Sequence, residues 1–474
     1  MTPAGFSGER TPLPNLPPQG GREVLGLQRV ETHENTPLTP TLSPAGRGGF
    51  PPYRLPLESP LHLSPTGRGR LRSRRVRGLP RVETLESTPL TPALSPSGRY
   101  AVAVVGAEQQ LAYNRVLLSD VLAGKIAVAA AQLKPAAWWR DRGVTLLYGN
   151  PATAIDRAAK TVALADGARL PYQHLVLATG SHPIRLPVPG MDLPGVRTFR
   201  DLADVAALME AAKPGTRAVV IGGGLLGLEA ASGMAGAGAK TTLVHLMDRL
   251  MERQLDARAG ALLRQAVEAR GIEVLLEAST ARVEGTDHVT GLRLADGRLI
   301  PADIVVVACG VRPNADLARA AGLACNRGVL VDDTLSTSDP AIHAMGECAE
   351  HRAAVYGLVA PAYEQARVLA RRFAGEDALY EGSSVSTNLK VSGVHVFSAG
   401  DVTSGPGTED IVLTDRARGI YRRLIVKDGR LIGAVLYGDT ADGLFYLDLI
   451  TNRTPIAALR ADLAFGPVAH NAAA

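Results

Sequence analysis

The sequence predicts an α/β fold: two units on parallel sheets, then a small C-terminal α+β domain, all behind a disordered N-terminal segment. Three observations predict it. A glycine loop, Gly222-Gly223-Gly224-Leu225-Leu226-Gly227, follows the apolar run RAVVI and opens the helical run LEAASGMAGAG. Short β-branched runs ending in small residues (YAVAVVG, HLVLATG, IVVVACG) recur around that loop, as buried parallel strands do. The tail carries two alternating strands around Asp428-Gly429, a tight hairpin signal.

The first 98 residues differ in kind from the rest. They hold 17 of the 32 prolines, twelve arginines and seven glutamates, with no lysine or aspartate. Arg29–Arg47 (RVETHENTPLTPTLSPAGR) and Arg81–Arg99 (RVETLESTPLTPALSPSGR) are identical at 15 of 19 positions. Such Pro-rich text has no helix or strand period and too little apolar surface to offset chain entropy, so the segment reads as disordered. It also accounts for the whole net charge of +5, because the remaining 376 residues carry 39 basic and 39 acidic side chains. A basic nucleic-acid-binding face on the globular part is therefore not expected. No apolar run approaches the ~18 residues of a membrane span, no secretory signal opens the chain, and a cytoplasmic location is expected. Cys309, Cys325 and Cys348 show no metal or cluster spacing, so no metal site is expected.

Tyr100–Gly106 reads as a buried strand, and Glu108 follows its carboxyl end, where an acid in dinucleotide folds meets the adenosine ribose. The second landmark is the glycine loop. Gly222 permits the tight turn, Gly224 the approach of a pyrophosphate and Gly227 the contact of helix with strand; helix-start N–H groups then face the phosphates. Lys240–Val244 closes this unit, and His245 stands where an acid would favour NAD. His245 can bond a ribose hydroxyl, and Arg249 or Arg253 can answer a 2′-phosphate, so the choice between NADH and NADPH stays open. Two further segments have the character of flavin contacts: YQHLVLATGSHP (Tyr172–Pro183), with Thr179-Gly180, and LSTSDPAIHAMGE (Leu335–Glu347), ending in Gly346-Glu347.

Together these residues resemble the FAD-dependent pyridine nucleotide-disulfide oxidoreductase superfamily. They are most similar to the N-terminal flavoprotein module of the NAD(P)H nitrite reductase large subunit, with rubredoxin reductases as relatives. The resemblance spans roughly residues 100–474 and is carried by AYNRVLLSDVLAGK, LATGS, VVIGGGLLGLEAA, VHLMDRLMERQLD, TLSTSDPAIHAMGECAEHR and YGLVAPAYEQARVLA. It implies two Rossmann-like domains: FAD-binding over 99–210 and 329–375, NAD(P)-binding over 211–328, with an interface domain over 376–474. It implies FAD contacts at Glu108, Arg115, Thr179, Gly180, Gly346 and Glu347. Gly222, Gly224 and Gly227 would hold NAD(P)H, and Glu229 would be the catalytic residue where nicotinamide meets the flavin.

The implied activity is NAD(P)H oxidation through FAD to an external acceptor, because the cofactors carry the hydride chemistry and the protein sets geometry. No cysteine precedes Cys309, so the C-x₄-C pair of the disulfide-reducing members is lacking. A nitrite or nitrate reductase component is the expected partner; a rubredoxin, a ferredoxin or oxygen is the alternative acceptor. The sequence departs from the family in one respect. No strand followed by a G-x-G-x-x-G loop precedes Tyr100, since Gly46–Gly49 and Gly67–Gly69 follow no strand. A non-catalytic NAD(P)-binding remnant unable to hold FAD is therefore the competing reading.

Overall fold

The computed structural model describes residues 23–29, 100–391 and 393–467. The Pro/Arg-rich repeats, the glycine clusters at 46–49 and 67–69 and the arginine cluster at 68–77 lie outside the described residues.

The first sheet runs in the order Ile342–Ala344, His174–Leu177, Glu23–Arg29, Tyr100–Gly106, Val144–Tyr148. Its members from the globular part are those expected of an FAD-type domain, with Ile342–Ala344 returning beside His174–Leu177 in parallel after the second domain. The centre differs from the sequence-based expectation. Glu23–Arg29 (EVLGLQR), inside the segment expected to be disordered, forms a strand antiparallel to both neighbours, pairing Glu23 with Gly106 and Arg29 with Tyr100. Its two flanking strands each present an unpaired row of backbone groups to the slot, and any extended segment that enters can satisfy them. A stretch of seven residues suffices for that, whatever the composition around it.

The second sheet is wholly parallel: Glu273–Leu275, Lys240–Val244, Arg217–Ile221, Ile304–Val307, Val196–Thr198. Val196–Thr198 precedes residue 211, the expected domain boundary, yet it pairs with Ile304–Val307, so this domain begins earlier in the chain. Val219, Val220, Val305 and Val306 are all fully or almost fully buried, which explains why these strands read as continuous β-branched runs. The helix Leu225–Gly236 lies on this sheet through Leu228, Ala231 and Met234. Its Gly233 admits Leu122 from the short helix Leu118–Leu122, since a Cβ there would stand 2.6 Å from Leu122 Cδ2.

Two crossings join the nucleotide domains. Ser181–Pro183 and Val311–Pro313 pair antiparallel. Asn314 fastens them: its N–H donates to Gly180 O (2.9 Å), its Nδ2 to Thr179 O (2.7 Å), and its own carbonyl accepts from Thr179 Oγ1 (2.6 Å). Asn314 Oδ1 also lies 2.6 Å from His182 Nδ1.

The C-terminal domain is a five-stranded antiparallel sheet in the order Ser386–Val391, Val394–Gly400, Arg430–Tyr437, Ile420–Lys427, Thr408–Asp415. The hairpin at Asp428-Gly429 forms as expected, both residues having positive φ (49° and 67°), the two-residue turn that matches strand twist. Helix Gly443–Thr451 covers one face through Tyr446 and Leu449. Arg422, almost fully buried, is neutralised there by Asp439 and Asp442.

Candidate nucleotide and flavin sites

The glycine loop sits at the carboxyl edge of the parallel sheet, between Arg217–Ile221 and the helix that follows. Two of its three motif glycines are demanded by the protein itself. Gly222 has φ +122°, and a Cβ there would lie 2.4 Å from Ala308 O. At Gly227 a Cβ would lie 1.7 Å from Gly222 O, so the helix could not approach the turn. Gly224 is different. Its backbone is ordinary extended chain (φ −84°, ψ −171°), and a Cβ would meet nothing within 4 Å. Neither strain nor packing requires glycine there; the open space at an uncapped helix start fits the pyrophosphate of NAD(P)H.

His245 is 8% exposed, with both ring nitrogens engaged. Nδ1 accepts from Gly223 N–H (3.0 Å), and Nε2 lies 3.1 Å from Glu252 Oε2. Of the arginines considered for a 2′-phosphate, Arg249 is held by both Asp248 carboxylate oxygens and by Leu255 O. Arg253 is largely exposed and stands 4.0 Å from Glu252.

Glu229 lies in the second turn of the glycine-loop helix. Burial, and then the Asp120 carboxylate, push its carboxyl up to about 7. An unfolded chain ionises this group near 4.5, so the folded protein loses stability as pH rises from there through 7. Glu229→Gln is therefore expected to be more stable than the parent at pH 8, by on the order of 2 kcal/mol after allowance for partial exposure. The gain should fade towards pH 4 in urea denaturation series, and a gain independent of pH would contradict this account.

The residues expected at the flavin lie along the carboxyl edge of the first sheet in two charged groups. Glu108 accepts from Tyr113 Oη (2.5 Å) and pairs with Arg115. Arg115 also donates to Tyr113 Oη (2.8 Å) and to the Arg200 carbonyl (2.9 Å). Arg200 in turn pairs with Glu347, whose carboxylate accepts from Ser181 Oγ (2.8 Å). Gly180 (φ +63°) and Gly346 (φ +73°) turn the backbone beside Glu347. The Thr179 hydroxyl is buried and spent on Asn314. Sequence reasoning missed Arg200 and Tyr113 as functional candidates. Arg200 carries no local motif and meets Glu347 across 147 positions.

As hydrogen-bond acceptors these two carboxylates suit hydroxyl-bearing parts of FAD: Glu108 would serve the adenosine end and Glu347 the ribityl end. Among the described residues no glycine loop stands between Tyr100–Gly106 and His174–Leu177, where the antiparallel Glu23–Arg29 lies. The hydroxyl contacts thus fit FAD, while no backbone cradle for its phosphates is among the described residues.

A wholly parallel sheet with a glycine loop, joined by paired crossings to a second nucleotide-type sheet and followed by an antiparallel domain, defines a two-dinucleotide oxidoreductase fold. The chain belongs to the pyridine nucleotide-disulphide oxidoreductase family, whose profile matches residues 93–366; the rubredoxin NAD+ reductase C-terminal domain matches residues 386–454. FAD and NAD(P)H are the cofactors of this family. The chain is 45% identical to the nitrite reductase [NAD(P)H] of Bacillus subtilis over 360 residues, 76% of this chain and 45% of that protein. It is 39% identical to the assimilatory nitrate reductase electron transfer subunit of the same organism, covering 76% and 47%. Among solved structures it resembles the ferredoxin reductase for the CYP199A2 system of Rhodopseudomonas palustris, with TM-score 0.67, 30% identity and coverage of 72% and 86%. The chain thus spans less than half the length of the two Bacillus relatives. No described helix is long and apolar enough to cross a membrane.

Proposed function

We propose that the chain is an FAD-dependent NAD(P)H oxidoreductase that passes electrons through flavin to an external acceptor, a nitrite or nitrate reductase component. The observation that carries the nucleotide half is Gly224, a glycine that only a closely approaching ligand requires. The acceptor half rests on likeness to proteins named as nitrite reductase and nitrate reductase electron transfer subunit. Bound FAD supplies a two-electron acceptor for hydride that can also release electrons singly.

The protein's own residues do the positioning. Backbone N–H groups from Gly224 onward hold the nucleotide pyrophosphate. Glu229 lies on the same helix, one turn further on, on the nicotinamide side. Glu347, fixed by Arg200 and Ser181, and Glu108, fixed by Tyr113 and Arg115, accept from flavin-nucleotide hydroxyls. Cys309, Cys325 and Cys348 are all free thiols and no C-x₄-C pair exists, so reducing equivalents leave the protein rather than reduce an internal disulfide. A second acceptor, a small rubredoxin- or ferredoxin-like carrier, is favoured by the match of residues 386–454 to a rubredoxin reductase domain.

The test is optical. The purified full chain, incubated with FAD and freed of excess, is expected to be yellow and to bleach anaerobically on addition of NADH or NADPH. Colourless protein that binds nicotinamide nucleotide but takes up no FAD would overturn the oxidoreductase reading in favour of a non-catalytic nucleotide-binding remnant.

A further inference from the structure

The strand Lys240–Val244 ends without an acid, and the residue that stands in its place, His245, has no free nitrogen. The tautomer follows from the donors. Gly223 N–H donates to Nδ1, so the proton sits on Nε2 and points to the Glu252 carboxylate. The ring also packs directly on Gly223, where an added Cβ would stand 2.6 Å from it.

Glu252 is placed by a second, independent bond. Met251, with φ +51°, donates its N–H to Gly223 O (3.0 Å), so the residue before Glu252 is tied to the same glycine that holds His245. Both backbone groups of Gly223 thus fasten the loop after the strand, one through His245 and one through Met251. The carboxylate between them is fixed at the carboxyl edge of Lys240–Val244, beside the glycine loop. In this fold the adenosine ribose of the nicotinamide nucleotide lies over that edge, and a carboxylate there bonds its 2′-hydroxyl.

We infer that Glu252, oriented by His245, is the carboxylate that bonds the adenosine ribose and makes the chain select NAD(H) over NADP(H). The inference rests on the nucleotide site proposed above and adds its ribose specificity. Glu252 is the specificity-determining residue and His245 a positioning residue. The charges of the loop agree: Arg249 is neutralised by Asp248 and spends its Nε on Leu255 O, which leaves Arg253 the single arginine of the pair free to swing. A 2′-phosphate would have to be seated against the Glu252 carboxylate with Arg253 alone to offset it, and repulsion at that distance disfavours it.

The test is calorimetric titration of the full chain with NAD+ and with NADP+, which reads the ribose contact without turnover. The parent is expected to bind NAD+ at least about tenfold more tightly than NADP+, since a site built to bond a hydroxyl rejects the ligand that lacks it. Glu252→Gln is expected to bring the two dissociation constants within about threefold, by weakening NAD+ and strengthening NADP+. Glu252→Asp should keep the preference in the same direction. A loop merely disordered by substitution would weaken both ligands in proportion, so an unchanged ratio in Glu252→Gln overturns the inference, as does a parent that prefers NADP+. A parent that binds neither nucleotide overturns the underlying reading itself, and the two failures are distinguishable.

Discussion

Gly224→Ser is expected to leave the thermal midpoint unchanged or slightly raised while lowering nicotinamide nucleotide affinity about a hundredfold, or about 2.7 kcal/mol. The backbone at this position is extended and caps the helix Leu225–Gly236 with no side chain to do so. Serine is a good residue there, gaining a few tenths of a kcal/mol over glycine by bonding a free helix N–H. Nothing lies within 4 Å of the added carbon, so folding is not opposed. The ligand is opposed, because the carbon and hydroxyl occupy the space through which the pyrophosphate reaches the backbone. Gly227→Ala should behave oppositely. Its Cβ would stand 1.7 Å from a carbonyl oxygen, a backbone atom that cannot swing away, so stability and binding fall together. Calorimetry beside thermal denaturation separates the two. Gly224→Ser protein that binds nucleotide as the parent does would mean that no phosphate approaches this loop, and the proposed function would lose its principal support.

The second large effect is expected at Glu347. Removing its carboxylate by Glu347→Ala leaves the Arg200 guanidinium, 17% exposed, without its counter-charge and Ser181 without its acceptor. A cost of about 2–3 kcal/mol is expected, below that of breaking a fully buried pair because some solvent reaches both groups. Glu347→Gln keeps an acceptor for Ser181 and should cost less than half as much. Both variants should hold less FAD per chain than the parent, measured from flavin absorbance after gel filtration, with Glu347→Ala the more severe. A parent-like flavin content in Glu347→Ala would remove Glu347 from the flavin site and leave it a purely structural partner of Arg200.

What could be read from the sequence was local in the chain. The glycine loop works within a span of six residues, and Asp428-Gly429 within two, so residue types alone expose them. The strands Tyr100–Gly106, His174–Leu177 and Ile304–Val307 are visible because burial on both faces enforces unbroken apolar runs. What was not readable depends on distant segments meeting. Arg200 has no motif and reveals itself only against Glu347; Asn314 is an ordinary residue after Pro313 until it is seen bonded to Thr179 and Gly180. Glu252 has no motif of its own: the strand end carries a histidine where an acid is usual, and the carboxylate arrives seven residues later, held by that histidine. The strand Glu23–Arg29 has no alternating pattern to mark it and becomes visible only once it is paired with Tyr100–Gly106 and His174–Leu177.

The seam made by Asn314 has a mechanical consequence. Each of its bonds to Thr179, Gly180 and His182 is worth about 0.5–1.5 kcal/mol net, and they lie where the chain leaves one nucleotide domain and where it returns. A pivot at this point would have to open all of them, together with the Ser181–Pro183 ladder, before either domain could swing. The crossing therefore acts as a weld and not as a hinge. It also joins Gly180, next to Glu347, to the strand that leaves the glycine-loop sheet, so the spacing between the edge that carries Glu347 and the edge that carries the glycine loop is set by the seam.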